Sequence, residues 1–211
     1  MAVYIIIALI AYAIGSVNFS VIISKKTAGF DVREKGSGNA GSTNMLRSVG
    51  KKAAVLTLIC DILKGVVSIG IAILIGNIFK IEEGAILVQI SAISVVIGHT
   101  FPIFYGFKGG KGVATSLGIL LIVNWQIGLI CLVFALVLMV LTRMVSLGSC
   151  SAAVLYPILT LFIKDYYIVQ NGGSYFIFSI ILAVIVLFNH RENIKRLMNG
   201  TESKISLKNK S

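Results

Sequence analysis

Between Gly98 and Ser116 the chain reads GHTFPIFYGFKGGKGVATS, where five glycines, two lysines, a histidine and a proline interrupt otherwise almost wholly apolar sequence. Gly106, Gly109, Gly110 and Gly112 surround Lys108 and Lys111. Such residues let the backbone turn sharply, present several N–H groups to one point and hold two positive charges beside them, which is the chemistry of an anion cradle. The uncharged run beginning at Gly112 makes this loop the start of a helix, whose unpaired N–H groups and dipole favour a phosphate. Without that chemistry the stretch is a flexible basic turn between two helices. Gly-Gly flanked by lysines at a helix start is unusual for a plain connector.

Two more polar stretches offer related chemistry. Gly36 to Arg47 is glycine-rich, carries Ser37, Asn39, Asn44 and Arg47, and is expected to feed a helix beginning near Lys51. Arg47 can grip a phosphate through two parallel hydrogen bonds. Asn189 to Glu202 contributes His190 and Asn193 for hydrogen bonding and proton transfer. Two cradles imply two anionic groups, or one large one.

The elements that must position these residues are membrane helices. Of 211 residues, 57% are hydrophobic and 13% charged, and the mean hydropathy is +0.96. That balance lies far from a soluble domain's. Uncharged runs cover 1 to 24, 65 to 79, 84 to 107, 112 to 142, 144 to 163 and 166 to 190. Several exceed the roughly 20 residues that span hydrocarbon as a helix, and no period-two alternation suggests a barrel. The apolar N-terminus has no basic residue ahead of it, while Lys25 and Lys26 follow it, so a retained first helix is expected rather than a cleaved leader.

The chain therefore reads as a single all-α polytopic domain over residues 1–211, with helices at about 3 to 24, 53 to 77 and 85 to 98, a candidate hairpin over 113 to 141 whose first arm is about 113 to 123, and helices at about 146 to 163 and 174 to 190. The 31 uncharged residues from 112 to 142 are either one tilted span or a hairpin hinged at Asn124, Trp125 and Gln126. Charge decides between them. With the hairpin there are seven crossings, and sixteen Lys or Arg positions fall on one side against Lys80 and Lys164 on the other. By the positive-inside rule the crowded side is cytoplasmic, the N-terminus outside and the C-terminus inside. The hairpin's first arm is only ~17 Å long, short for a full crossing. Pro157 predicts a kink, and Ile194, Leu197 and Met198 alternating with basic residues predict an amphipathic extension of the last helix, stopped at Asn199 and Gly200.

Within the membrane, Asp61 and Lys64 share a helix face and are expected to pair toward the interior. Cys60, Cys131 and Cys150 lack metal-ligand spacing and read as reduced packing residues. The net charge of +11 is spread over short loops, which suits anionic headgroups and phosphorylated substrates better than nucleic acid. Three familiar sites fail on spacing. A nucleotide P-loop around Lys111 would need glycine at Tyr105 and a hydroxyl residue at Gly112; a nucleophile elbow at Ser116 would need glycine at Ala114; and two distant histidines without a carboxylate cluster do not make a zinc site. A transporter or flippase for a phosphorylated solute or lipid is the competing class. It would want its charges near mid-membrane, where only Asp61 and Lys64 qualify.

GSGNAGSTNMLRSVGKK, GHTFPIFYGFKGGKGVAT and HRENIKRLMNGTE resemble, in order, the three cytoplasmic motifs of the bacterial membrane glycerol-3-phosphate acyltransferases of the PlsY type. Length and hydrophobic layout agree over the whole chain. The His-x4-Asp motif of the other acyltransferases is absent, since Phe104 and Lys195 stand five residues after His99 and His190. The resemblance implies transfer of a fatty acyl group from acyl phosphate to the sn-1 hydroxyl of glycerol 3-phosphate in the bacterial plasma membrane. Lysophosphatidic acid and phosphate are the products, with no cofactor or metal. It implies a functional link to an enzyme that makes acyl phosphate.

By the same resemblance Ser37, Arg47 and Lys111 bind phosphate; the residues themselves add Lys108 and the Gly109, Gly110 and Gly112 amides for phosphate, with Asn39 and Asn44 beside them for hydrogen bonding. His190 and Asn193 act on the acceptor and the reacting carbonyl, while His99, Thr115 and Glu202 are supporting residues. His99 is expected to be structural, Glu202 to fix the tail by an ion pair, and Arg191, Lys195 and Arg196 to face lipid. The proton acceptor is either His190 or the acceptor's own phosphate. The latter is favoured because no carboxylate is placed to orient His190.

Overall fold

The computed structural model describes residues 1–163 and 172–205, so Lys164 and the tail beyond 205 lie outside the described residues. Every apolar run forms helix. The first is broken: α1 (Ala2–Ser16) and α2 (Phe19–Ala28) meet at Val17 and Asn18, both in extended conformation. Asn18 restarts the helix by accepting from the Val21 N–H at 3.3 Å. The small polar residues of this stretch thus interrupt the span as well as pack it.

A short α3 (Ser42–Ser48) precedes the 28-residue α4 (Lys51–Ile78) and α5 (Gly84–Thr100). The hairpin is α6 (Val113–Val123) and α7 (Trp125–Thr142), hinged at Asn124, whose side chain accepts from the Ile127 N–H at 3.0 Å. α8 (Val145–Phe162) carries Pro157 within it, and α9 (Gly172–Asn189) bends by 67° into α10 (Arg191–Met198). Among the described residues five helices are long and apolar enough to cross a membrane, six if the bent α9–α10 pair is one span. The eleven-residue α6 is shorter than hydrocarbon is thick.

α1 packs on α5, α4 on α5 and α6, and α8 between α7 and α9. Three crossings, α1–α5, α4–α6 and α7–α8, bring backbones together over glycine, as lipid-embedded helices do when small residues face each other. A Cβ on Gly118 would lie 2.1 Å from the Ile62 carbonyl oxygen, and one on Gly98 would lie 2.3 Å from that of Tyr12. Between the helices sits one apolar core that includes Ile7, Ile69, Leu87, Val95, Ile119 and Phe178, while residues such as Val140, Leu141 and Phe162 face outward. A smaller core of Ile23, Val32, Met45 and Ala54 fastens the 29–50 loop to α2, α3 and α4. That loop is thereby held at the end of the bundle where the other polar segments emerge.

Asp61 and Lys64 do pair in the interior, at 2.9 Å, and Lys64 also donates to the Gly15 and Val17 carbonyls that the α1–α2 break leaves without helix partners. The His99 ring approaches Asp61 at 3.6 Å. This buried charge is thus matched by a charge and by backbone dipoles, as a low-dielectric setting requires.

Candidate functional site

The glycine loop is pinned to the end of α5. Gly109 and Gly110 donate their N–H groups to the Thr100 and His99 carbonyls, both at 3.0 Å. These two amides, expected beside the phosphate, are thus engaged by the end of α5 in this structure. Their glycine identity serves close approach. A Cβ on Gly109 would lie 2.0 Å from the His99 carbonyl oxygen, and one on Gly110 would lie 2.1 Å from the His99 ring. His99 is thus the floor of the loop, a structural residue. Gly112 turns the chain into α6 with φ of +85°, a conformation glycine adopts freely, and leaves the first α6 amides as the orphan donors of a helix start.

Lys111 stands half-buried at the edge of this loop and donates to the Asn193 side-chain oxygen. Asn193 in turn donates to Glu202 at 2.8 Å, and Ser146 and Arg196 hold the same carboxylate, each at 2.8 Å. Glu202, with a side chain only 4% exposed, thus fixes the tail as expected. Arg196 does not simply face lipid; its guanidinium is spent on this ion pair. Ser146, at the start of α8, was not singled out from sequence, since one serine at the end of an apolar run carries no pattern. Burial would raise the Glu202 carboxyl, but its Asn193, Ser146 and Arg196 partners outweigh that and hold it below the usual carboxylate range. Burial, and after it the Arg196 charge, holds the Lys111 ammonium below lysine's ordinary range.

His190 lies in the bend beyond the α9 span, 4% exposed, with Nδ1 2.8 Å from the Val186 carbonyl oxygen. A carbonyl only accepts, so Nδ1 carries the hydrogen and Nε2 is left as the acceptor. Burial, followed by the nearby Lys111 charge, pushes the imidazole down to about 4, which makes it neutral at pH 7. Beside it Asn189 donates to Thr100 at 3.1 Å, tying α9 to the end of α5.

The helix expected near Lys51 does begin there as α4, but the first glycine segment opens the intervening α3, which puts Arg47 in the last turn of α3. Arg47 is exposed and reaches the Ser203 carbonyl at 3.5 Å. Ser37 is also exposed, and its backbone N–H donates to Asn44. Asn44 is 1% exposed, and its amide nitrogen donates to the carbonyls of Val32, Lys35 and Asn39 at 2.9 to 3.0 Å. Through these bonds Asn44 shapes the loop around Ser37 and Asn39. Lys108 is exposed and separate from the Lys111 cluster. Thr115 is buried at the α4–α6 crossing with its carbonyl oxygen against Gly65, so it packs α6 rather than lining the loop.

The three segments touch one another. Ala40 N–H donates to the Gly109 carbonyl at 3.4 Å, Lys111 meets Asn193, and Arg47 reaches Ser203. Among the described residues no three His, Cys, Asp or Glu side chains gather as metal ligands. An apolar helical bundle with lysine, arginine, a neutral histidine and an asparagine gathered at one end defines a multi-pass membrane protein whose polar groups meet at one place.

Known proteins sharpen that class. The model of the family described as glycerol-3-phosphate acyltransferase matches residues 5–200. A glycerol-3-phosphate acyltransferase of Thermoanaerobacter sp. (strain X514) is 46% identical over 201 residues, 95% of each chain, and that of Clostridioides difficile (strain 630) is 44% identical over 205 residues, 97% of each. The crystal structure of PlsY, an integral membrane glycerol 3-phosphate acyltransferase, in its glycerol 3-phosphate form superposes with a TM-score of 0.83 at 34% identity, covering 96% of both chains. Its lysophosphatidic acid form gives 0.81 at 32% identity, over 96% of this chain and 95% of that one. The chain belongs to the glycerol-3-phosphate acyltransferase family of the PlsY type.

Proposed function

We propose that the protein transfers a fatty acyl group from acyl phosphate to the sn-1 hydroxyl of glycerol 3-phosphate, releasing lysophosphatidic acid and inorganic phosphate. The reaction takes place at the cytoplasmic face of a bacterial plasma membrane. Seven crossings, α6 included, put the N-terminus outside and the C-terminus inside. The observation that carries the reading is the contact in which Lys111 donates to the Asn193 side-chain oxygen, which sets a cation suited to phosphate beside an amide and near His190.

Arg47, Ser37 and Lys111 hold the phosphates, and both substrates carry one. Asn193 and Lys111 stabilise the charge that develops on the carbonyl oxygen and on the leaving phosphate. The acceptor hydroxyl oxygen bonds to the acyl carbon, the carbon–oxygen bond to phosphate breaks, and the hydroxyl proton leaves. An imidazole held near 4 is a weak base, whereas a phosphate monoester has its second pKa near ~6. The proton therefore passes to the acceptor's own phosphate, and His190 Nε2 orients the hydroxyl. Acyl phosphate is a mixed anhydride and already activated, so an upstream enzyme that makes acyl phosphate supplies the driving force. The acyl chain lies among apolar helices while its reactive end reaches the interface.

The test is release of inorganic phosphate from palmitoyl phosphate by the purified protein with and without glycerol 3-phosphate. Release that depends on the acceptor supports the reading. Release without acceptor, or none from folded protein, counts against it.

A further inference from the structure

One cation beside the site is absorbed by none of the roles above. Arg33 grips Asp31 through two parallel bonds of 3.0 and 2.8 Å, and the Asp31 carboxylate also accepts the Arg33 backbone N–H at 3.0 Å. The guanidinium is thereby aimed away from its own loop. Its remaining nitrogen donates to the Tyr105 carbonyl at 2.6 Å and to the Lys108 carbonyl at 3.1 Å, and the guanidinium carbon Cζ lies 5.9 Å from the Tyr105 ring centroid. These bonds join the first polar segment to the second across more than seventy residues of chain.

The stretch they hold is one that needs holding. Phe107, between the two gripped carbonyls, has φ of +58°, a left-handed conformation that a bulky residue adopts at a cost. Phe107 N–H and Tyr105 N–H both turn back to the Pro102 carbonyl, at 2.9 and 3.1 Å, so the turn closes on itself and its outward carbonyls are left for Arg33. Charge-assisted bonds of this kind are the stronger ones in a protein. Lys111 follows Lys108 by three residues, with Gly109 and Gly110 already fixed to α5.

Resting on the acyl-transfer reading, we propose that Arg33 is a positioning residue of the site. By bridging Tyr105 and Lys108 it sets the glycine loop, and with it Lys111, at a fixed reach from Ser37 and Arg47. Asp31 orients Arg33 and acts only through it. Paired with Asp31 in this way, Arg33 acts through backbone placement and not by touching substrate.

The test is steady-state kinetics with glycerol 3-phosphate varied, on wild type, Arg33→Ala, Arg33→Lys and Asp31→Asn, each with its melting temperature. Misplacing a binding group by about 1 Å costs up to about 100-fold, so Arg33→Ala is expected to lose about 10- to 100-fold in kcat/KM while melting near wild type. Millimolar guanidinium chloride restores a large part of that loss, and sodium chloride at the same concentration does not. Arg33→Lys falls between wild type and Arg33→Ala, and Asp31→Asn shows a smaller loss. If Arg33→Ala does not fold, Arg33→Lys carries the test. The inference is overturned by wild-type kcat/KM in folded Arg33 variants, or by a loss that tracks melting temperature and ignores guanidinium. Active wild type with unaffected variants removes this inference alone; inactive wild type removes the acyl-transfer reading and this inference with it.

Discussion

Lys111 is the residue on which the proposed chemistry turns. It is half-buried and bonded to Asn193, so a substrate phosphate arriving there takes the place of an amide oxygen as its partner. Removing such a charge-stabilising donor costs about 100- to 1,000-fold in kcat, which is the loss expected for Lys111→Ala. Its ammonium is held below lysine's ordinary range by burial first and Arg196 second, and the cation is the active form. Activity should therefore fall on the alkaline side earlier than an ordinary lysine would allow. Lys111→Arg should push that limb to higher pH if it retains turnover. For His190, held near 4, the sign runs the other way: lowering the pH charges it only well below neutrality. The acid limb of kcat/KM should lie near about pH 6, where a phosphate monoester titrates, and should persist in His190→Gln with a reduced rate. An acid limb that moves or vanishes in that variant would make His190 the base. Lys111, Arg47, His190 and Asn193 were legible as residue types, because a charge or an imidazole in so apolar a chain stands out. Gly109, Gly110 and Asn44 were legible as important, but their part in holding the loops together was not. Their N–H groups are consumed by backbone partners that only the folded loop brings near.

At the scale of elements, α10 and the tail behave as one clasp. Glu202 gathers Ser146 from α8 with Asn193 and Arg196 from α10. Glu202→Ala leaves these buried or half-buried donors without their acceptor and should destabilise by about 1–3 kcal/mol, read as a lower melting temperature in detergent. Because the folded carboxyl is held below its ordinary range, this contribution is present at neutral pH and is lost as pH falls through the folded value. Glu202→Gln should lose less, since it keeps an oxygen acceptor. The α4–α6 crossing makes a separate prediction. Gly118→Ala would set a Cβ 2.1 Å from the Ile62 carbonyl, and backbone cannot yield as a side chain can. Overpacking of this kind costs about 1–3 kcal/mol and should lower the yield of folded protein with Lys111 and Arg47 untouched. Helix positions were legible because uncharged runs and membrane thickness leave few choices. The α1–α2 break and α3 were not. The break depends on Lys64, 46 residues after Asn18, taking up two carbonyls. α3 hides in a polar loop and is held by Val32 and Met45 against Ile23 and Ala54.

At the scale of the molecule, the bundle keeps polar chemistry at one end and leaves an apolar exterior. Asp61 and Lys64 satisfy each other and the broken first span in its interior. That pairing joins α4 to the broken first span, whereas the contact of Lys111 with Asn193 lies at the end of the bundle. Family membership is carried by similarity over nearly the whole chain. The choice of acyl phosphate as donor is the central claim that remains proposed, and one assay addresses it directly. Purified, detergent-solubilised protein is given labelled glycerol 3-phosphate with palmitoyl phosphate or, in parallel, palmitoyl coenzyme A, and Lys111→Ala is run beside wild type. The account predicts labelled lysophosphatidic acid from palmitoyl phosphate alone, lost in the variant. Product from coenzyme A thioester alone, or none from either donor with folded wild type, would contradict it.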